Sequence, residues 1–157
     1  MNQTARNLSP DAHAAIVTAL NQSVAETAVT TMLAQNFHWN VKGMAFGPLH
    51  AFFQEIYEDH FEAQDDLAER IKAIGGHAEG MLAKMVERSK VHEHDGHATA
   101  EEMIAAMLQA QETLADTIAG CGDLAAENGD TGTEDLCIAR TQVHEKFAWM
   151  LRAHLAS

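Results

Sequence analysis

The strongest periodic signal in the chain is PLHAFFQEIYEDHFEAQDDLAERIKAIGG, residues 48–76. Its apolar side chains recur every three or four residues, which is the spacing of one buried face on an α-helix. We expect this helix to begin at Pro48 and to end at the pair Gly75 and Gly76. Its predicted apolar positions are Leu49, Phe52, Phe53, Ile56, Tyr57, Leu67, Ile71 and Ile74.

A helix of similar length precedes this one. Ser9 supplies an N-cap and Pro10 the first helical position, and the apolar pattern extends to about Asn40. Gly43 and Gly47 then interrupt the pattern, so a tight hairpin is expected to join the two helices.

Two more long helices are predicted in the second half of the chain. One begins at about Thr99, with Glu102 as the partner residue of a capping box, and ends at the turn formed by Asn128 and Gly129. The last helix opens at Thr131. Both carry apolar residues at helical spacing, so each is expected to bury one face.

A long connection joins the two helix pairs. It covers residues 75–98, and within it residues 81–88 are predicted to form a short helix. Four long helices with a long crossover in the middle are typical of an all-α, ferritin-like four-helix bundle. A chain of 157 residues is long enough for one such domain, residues 1–157.

The charge balance limits the classes of partner. Ten basic residues stand against 23 acidic ones, a formal net charge of −13, which repels nucleic-acid phosphates and attracts cations. The amino-terminal residues do not resemble a secretion signal and no apolar run approaches membrane-spanning length, so we expect a cytoplasmic protein with no membrane partner. Cys121 and Cys137 are then expected to be buried, reduced thiols rather than a redox pair.

Four side chains have metal-binding chemistry: His38, His50, Asp65 and Glu69. With about 100° per helical residue and His50 at zero, Asp65 and Glu69 fall near 60° and 100°, whereas the apolar face centres at roughly 260°. This ligand stripe faces away from the core of its own subunit. Because His50 and Asp65 are about 22 Å apart along the helix axis, one ion cannot contact both within one chain.

The predicted hairpin brings His38 and His50 together. If two subunits pair with these helices antiparallel about a two-fold axis, the histidines of one face Asp65 and Glu69 of the other, and symmetry creates two identical sites. Two imidazoles and two carboxylates suit ferrous iron, and zinc would also bind. A single histidine or acidic residue on a helix more often only faces water. The prediction of a metal site therefore rests on the spacing of these four residues and on the helix face that they share.

The stretch NFHWNVKGMAFGPLHAFFQEIY, residues 36–57, followed by DDLAERIKAIGG, residues 65–76, resembles the Dps-like proteins, the miniferritins named for DNA protection during starvation. The resemblance extends to HEKFAWMLRAHL near the carboxyl end. It implies a dodecameric cage with ferroxidase sites at two-fold axes, which oxidises ferrous iron with hydrogen peroxide more readily than with oxygen and stores the ferric product. By position, His38 and His50 would bind metal from one subunit, and Asp65 and Glu69 from its partner.

Gln54 departs from the family pattern, which has an aspartate or glutamate four residues after the second histidine. A neutral amide oxygen is a weaker ligand, so we expect weaker binding of a second iron. A cage that sequesters metal with little turnover is therefore one alternative. A nucleoid-binding protein is another, although Arg6 is the only basic residue of the amino-terminal segment and we expect little DNA binding.

Acidic residues at the start of the last helix form a second cluster. By resemblance, Asp130, Glu134 and Asp135 would line a three-fold pore through which iron enters. Helix capping accounts for the same residues equally well.

The crossover carries a third cluster. His92, His94 and His97 have the alternation of an accessory metal site, although a polar loop with exposed histidines fits the segment better. Trp39 follows His38 directly, and either radical quenching at the metal site or packing in the core would explain it.

Overall fold

Capping side chains mark the starts of two of the long helices that the sequence predicted to be capped. The Ser9 Oγ accepts a hydrogen bond from the Ala12 N–H at 3.1 Å, and Thr99 and Glu102 form both hydrogen bonds of the predicted capping box. The computed structural model describes residues 8–156, so Arg6 and the rest of the amino-terminal segment lie outside the described residues. The helices are α1 (Pro10–Asn40), α2 (Phe46–Ala73), α3 (Leu82–Arg88), α4 (Ala100–Glu127) and α5 (Thr131–Leu155).

These helices form the predicted four-helix bundle. The hairpins α1–α2 and α4–α5 pack against each other, with α1 on α4 and α2 on α5, and the short α3 of the crossover lies on α1. Within residues 8–156 all regular secondary structure is helical, and no helix there is both long and apolar enough to cross a membrane. The all-α prediction and the short crossover helix are confirmed.

The second helix begins at Phe46, two residues before the predicted start at Pro48. The reason is that Pro48 occupies the first helical turn. N–H groups in that turn have no acceptor within the helix, so a proline there removes no hydrogen bond.

Polar side chains of α1 hold the long crossover in place. Each bonds to a backbone group of the crossover, which satisfies polar groups of a segment without regular structure. Asn21 alone contacts it twice, donating to the His77 carbonyl and accepting from the Glu79 N–H. The other contacts join Gln22 to Arg88, Glu26 to Lys90 and Asn36 to His94.

Five polar side chains form a closed ring of hydrogen bonds across the middle of the bundle. Arg140 donates to both carboxylate oxygens of Asp59 and to His144 Nε2. The His144 Nδ1 in turn donates to Gln111 Oε1, and the Gln111 amide donates to His60 Nε2. The ring closes through His60 Nδ1, which donates to Asp59. Every acceptor is matched to a donor only when both histidines are neutral.

This polar ring separates two apolar clusters of the core. One cluster contains Phe37 and Phe53, near the α1–α2 hairpin, and the other contains Leu20 and Leu67, toward the opposite end of the bundle. Polar groups buried between apolar layers cost free energy unless they are fully paired. The ring meets this requirement for every member except Arg140, whose Nε–H is the one buried side-chain polar atom of the described residues without a hydrogen-bond partner.

The ring fixes the charge of its members. Burial lowers the pKa of both His60 and His144, because a charged imidazole would lose its hydration. Burial by itself would raise the pKa of Asp59, but hydrogen bonds from His60 and Arg140 bring it well below its ordinary value. Neutral histidines therefore lie beside an ionised carboxylate–guanidinium pair.

We expect the protein to lose thermal stability as the pH falls below 6.5, the ordinary pKa of histidine. In that range the unfolded chain binds protons at positions 60 and 144 that the folded chain does not, so folding becomes less favourable. Each histidine then removes up to about 1.4 kcal/mol per pH unit. Thermal denaturation at pH 7.5 and pH 5.0 measures the effect.

Two glutamine variants serve as a matched control for this prediction. His144→Gln removes one buried titrating group and should flatten the pH dependence, whereas His97→Gln replaces an exposed histidine and should leave it unchanged. An unfolding temperature of the native chain that is equal at both pH values would contradict the prediction.

Candidate metal centre

Two histidines meet at the α1–α2 hairpin. His38 lies in the last turn of α1 and His50 near the start of α2. Their rings stack, with centroids 3.7 Å apart and planes 15° from parallel. Gly43 allows the tight connection because its backbone φ of 104° is one that other residues rarely adopt. The predicted proximity of the two imidazoles is confirmed.

Each of these histidines donates to the backbone of the other. The His38 Nδ1 lies 2.6 Å from the His50 carbonyl oxygen, and the His50 Nδ1 lies 2.7 Å from the His38 carbonyl oxygen. Because a carbonyl oxygen only accepts, both Nδ1 atoms carry a proton, and the Nε2 atom of each neutral ring keeps its lone pair. Metal-binding histidines are typically oriented in this way. The geometry prepares two nitrogen ligands for a divalent cation.

Aromatic side chains flank the histidine pair. The Phe46 ring stacks on His50 at 5.0 Å, and the Tyr57 ring meets His38 edge-on at 5.3 Å. His38 is buried, whereas His50 is only half-buried. The pair is thus held rigidly by packing and still has one open side.

The predicted carboxylate ligands lie elsewhere on α2. Asp65 and Glu69 are one turn apart and exposed, and Asp65 is about 22 Å from His50 along the helix axis. Among residues 8–156 no three histidine, cysteine or acidic side chains converge to hold a metal ion. One chain therefore brings the histidines together but keeps the carboxylates apart from them.

The structure also contains an open apolar groove. It has a volume of about 450 Å³ and is bordered by α1, α3, the crossover and one residue of α2. Trp39, next to His38, lines the groove, and so does Gln64, next to Asp65. Core packing is the wrong explanation for Trp39, because 61% of this residue is exposed. A groove lined by exposed apolar side chains is typical of an interaction surface.

Gln54 and Glu58 form a pair on α2. The Gln54 amide donates to the Glu58 carboxylate at 2.7 Å, one helical turn apart. The amide oxygen of Gln54 is the only ligand atom that this side chain can offer a cation. The nearest negative charge on this stripe is therefore one turn farther from His50 than in the family pattern.

Asp130 acts as a structural cap. It is buried, it accepts from the Thr133 N–H as the N-cap of α5, and it forms an ion pair with Arg70 at 2.7 Å. These contacts support the capping explanation for this residue. Glu134 lines a cleft of about 260 Å³ between α4 and α5, and Asp135 is exposed.

The three crossover histidines do not form a cluster. His94 accepts from the Gly96 N–H at its Nδ1 and packs edge-on against Phe37, whereas His92 and His97 are exposed. The accessory metal site considered for them is not assembled within the described residues. The Nδ1 of His94 is instead used in a local turn, where it accepts from the Gly96 N–H.

The sequence analysis assigned no role to the histidines of the polar ring, His60 and His144. Their spacing from buried apolar residues nevertheless indicates that they face the core. His60 lies seven residues after Phe53 and seven before Leu67, so it shares their buried face. Gln111 and His144 occupy the same kind of position on α4 and α5. Polar residues at seven-residue spacing between core residues identify this layer.

The sequence and the fold of this chain are similar to those of known proteins. The model of the ferritin-like domain family matches residues 17–157. The chain is 36% identical over 140 residues to DNA protection during starvation protein 2 of Bacillus anthracis, covering 89% of this chain and 96% of that protein. General stress protein 20U of Bacillus subtilis is likewise 36% identical, with 89% and 97% covered. A crystal structure of a Dps protein from Vibrio cholerae O1, a member of a broad superfamily of ferritin-like diiron-carboxylate proteins, matches with a TM-score of 0.91 at 30% identity, covering 95% of this chain and 94% of that one.

Proposed function

The chain belongs to the ferritin-like domain family and, within it, to the Dps proteins, and from this membership we propose that it forms a cytoplasmic, dodecameric cage that oxidises ferrous iron and stores the ferric product. The stacked pair His38 and His50 carries the proposal, since both Nε2 lone pairs are available for a cation. Removal of iron together with peroxide would protect the cell during oxidative stress.

A second copy of the chain supplies the missing carboxylates in this proposal. If the apolar groove pairs with its own copy about a two-fold axis, the histidines of one subunit meet Asp65 and Glu69 of the other. Trp39 and Gln64 support this arrangement, because each is the sequence neighbour of a ligand and both line the groove. Each two-fold interface then contains two whole sites.

The reaction takes two electrons from iron for each hydrogen peroxide. Two ferrous ions, one peroxide and two protons give two ferric ions and two water molecules. Imidazole nitrogens and carboxylates would hold the ferrous substrate, and the carboxylates would offset the charge that the ions gain. We propose peroxide rather than oxygen as the preferred oxidant on the strength of the family resemblance.

Iron entry is assigned to the acidic surface at the start of α5. Glu134 and Asp135 are candidates for lining a three-fold pore, and the net charge of −13 favours cations at the surface. Asp130 would hold this region in shape through Arg70 and Thr133.

A metal-sequestering cage with weak turnover is the second candidate function. The observation in its favour is Gln54, whose neutral oxygen weakens the position of a second ion. Zinc would fit the same donor set, although zinc has no redox chemistry. Direct DNA binding is the least favoured role, because the chain carries 23 acidic residues against ten basic ones.

Ferrous oxidation by peroxide tests the proposed function. In His50→Asn the amide can still donate to the His38 carbonyl, but no Nε2 lone pair remains. We expect the assembled variant to lose oxidation by more than about tenfold, since even residues that only orient metal ligands have effects of that size. Absorbance of the ferric product gives the rate, and the size of the assembly is recorded alongside.

The matched control is His97→Asn, which changes an exposed histidine away from the hairpin and should keep the native rate. Equal rates in an intact His50→Asn cage and the native cage would overturn the assignment of this site. If the native cage binds ferrous iron anaerobically but does not oxidise it when hydrogen peroxide is then added, sequestration is favoured.

The exchange of charge between Gln54 and Glu58 tests the second metal position. The double variant Gln54→Glu with Glu58→Gln keeps the net charge and can keep a hydrogen bond between the two side chains, but it moves the carboxylate one turn toward His50. We expect the second ferrous ion to bind roughly tenfold more tightly, or about 1.4 kcal/mol. Anaerobic calorimetric titration measures both affinities. Equal or weaker second binding would show that position 54 does not limit this site.

A further inference from the structure

We propose that Cys121 and Cys137 form a dithiol that hydrogen peroxide oxidises to a disulfide, a modification site separate from the iron ligands. Cys121 lies on α4 and Cys137 on α5, and each is only 1% exposed. The two thiols hydrogen-bond to each other within the apolar cluster that also contains Ile118. Sequence reasoning treated these residues as inert, because their contact arises only when the two helices pack.

The helices approach closely at this point. Gly122 follows Cys121, and a Cβ atom placed on Gly122 would lie 3.0 Å from the Cys137 Cβ, tighter than ordinary packing allows. A disulfide needs its two Cβ atoms about 3.5–4.5 Å apart, so close helix packing is the first requirement for forming one. The absence of a side chain at Gly122 provides it.

Only one of the two cysteines faces an opening. Cys137 lines the cleft of about 260 Å³ between α4 and α5, together with Asp123 and Glu134, whereas Cys121 is not part of the cleft wall. Hydrogen peroxide is little larger than water, so this cleft admits it. Cys137 is therefore the cysteine next to the space that peroxide can occupy, and Cys121 is the one behind it.

Electrostatics favour the same order of reaction. The hydrogen bond with Cys121 lowers the pKa of Cys137; burial and the negative charge of Asp130 oppose it, and the positive charge of Arg70 acts in the same direction as the hydrogen bond. The same hydrogen bond raises the pKa of Cys121, and burial adds to that rise. Because the thiolate is the nucleophile and Cys137 is the cysteine that lines the cleft, Cys137 is the thiol that attacks first.

The reaction balances without a further reagent. The Cys137 thiolate attacks one peroxide oxygen, the O–O bond breaks, and the products are a sulfenic acid and hydroxide, which takes up the thiol proton to give water. The Cys121 sulfur then attacks the sulfenic sulfur, the S–O bond breaks, and a second water leaves. Two thiols and one hydrogen peroxide thus give one disulfide and two water molecules.

The disulfide would tie α4 to α5 around the turn that contains Asp130. A crosslink that closes a loop of this length restricts the unfolded chain and stabilises the folded one. Peroxide would therefore strengthen the bundle next to the acidic cleft, without involvement of the histidine pair.

Thiol counting on the metal-free assembly tests the proposal. After chelation to remove iron, the cage is treated with hydrogen peroxide, the excess is destroyed with catalase, and the chain is denatured with a maleimide present. We expect both thiols to disappear together, with an intact mass about 2 Da lower and no crosslink between subunits. Because no iron is present, the result is independent of the proposed ferroxidase activity.

Single serine variants separate the two sulfurs. In Cys121→Ser the reaction should stop at a sulfenic acid on Cys137 that dimedone traps, and in Cys137→Ser the Cys121 thiol should stay reduced. If both thiols of the treated native cage remain free for the maleimide, the proposal is wrong, whatever the variants do. Oxidation of Cys121 in the Cys137→Ser cage at the native rate would also overturn it.

Discussion

The exchange of hydrogen bonds between His38 and His50 is the constraint on which the candidate site depends. Each Nδ1–H is used by the carbonyl of the other residue, so the end of α1 and the start of α2 are joined by side chains as well as by the hairpin. The same two bonds decide the protonation pattern of both rings. One pair of contacts therefore sets both the local structure and the ring nitrogens that the proposed metal site would use.

The rest of the bundle supports that arrangement by fixing the position of α2 against its neighbours. The polar ring around His60 and His144 links α2 to α4 and α5 by hydrogen bonds at one level of the core. A bundle held in this register presents the histidines at one end of α2 and Asp65 and Glu69 farther along its exposed face. Neither set of residues forms a complete site within one chain, and the proposed pairing of two copies through the apolar groove would complete both.

Sequence reasoning predicted the helices because apolar periodicity and capping residues act locally. Ser9, Thr99 and Glu102 cap helices as expected, and α2 begins earlier than predicted, at Phe46, because the first turn of a helix tolerates Pro48. The meeting of His38 and His50 was predictable from a short hairpin. The hydrogen bonds between them were not, because their acceptors are backbone carbonyls that every residue has. The thiol contact and the burial of Asp130 arise from packing between helices distant in sequence.

The central claim is that each metal site is shared between two chains, and mixed cages test it most directly. His50→Asn and Glu69→Gln subunits are each inactive alone in this account, since each removes a ligand from every site. In cages assembled from equal amounts of both, half of the two-fold pairs are mixed, and each mixed pair contains one intact site and one that lacks both ligands. The account predicts about one quarter of native peroxide-driven iron oxidation in the mixed cages. Mixed cages as inactive as their parents would contradict it, because sites built within one chain cannot complement each other.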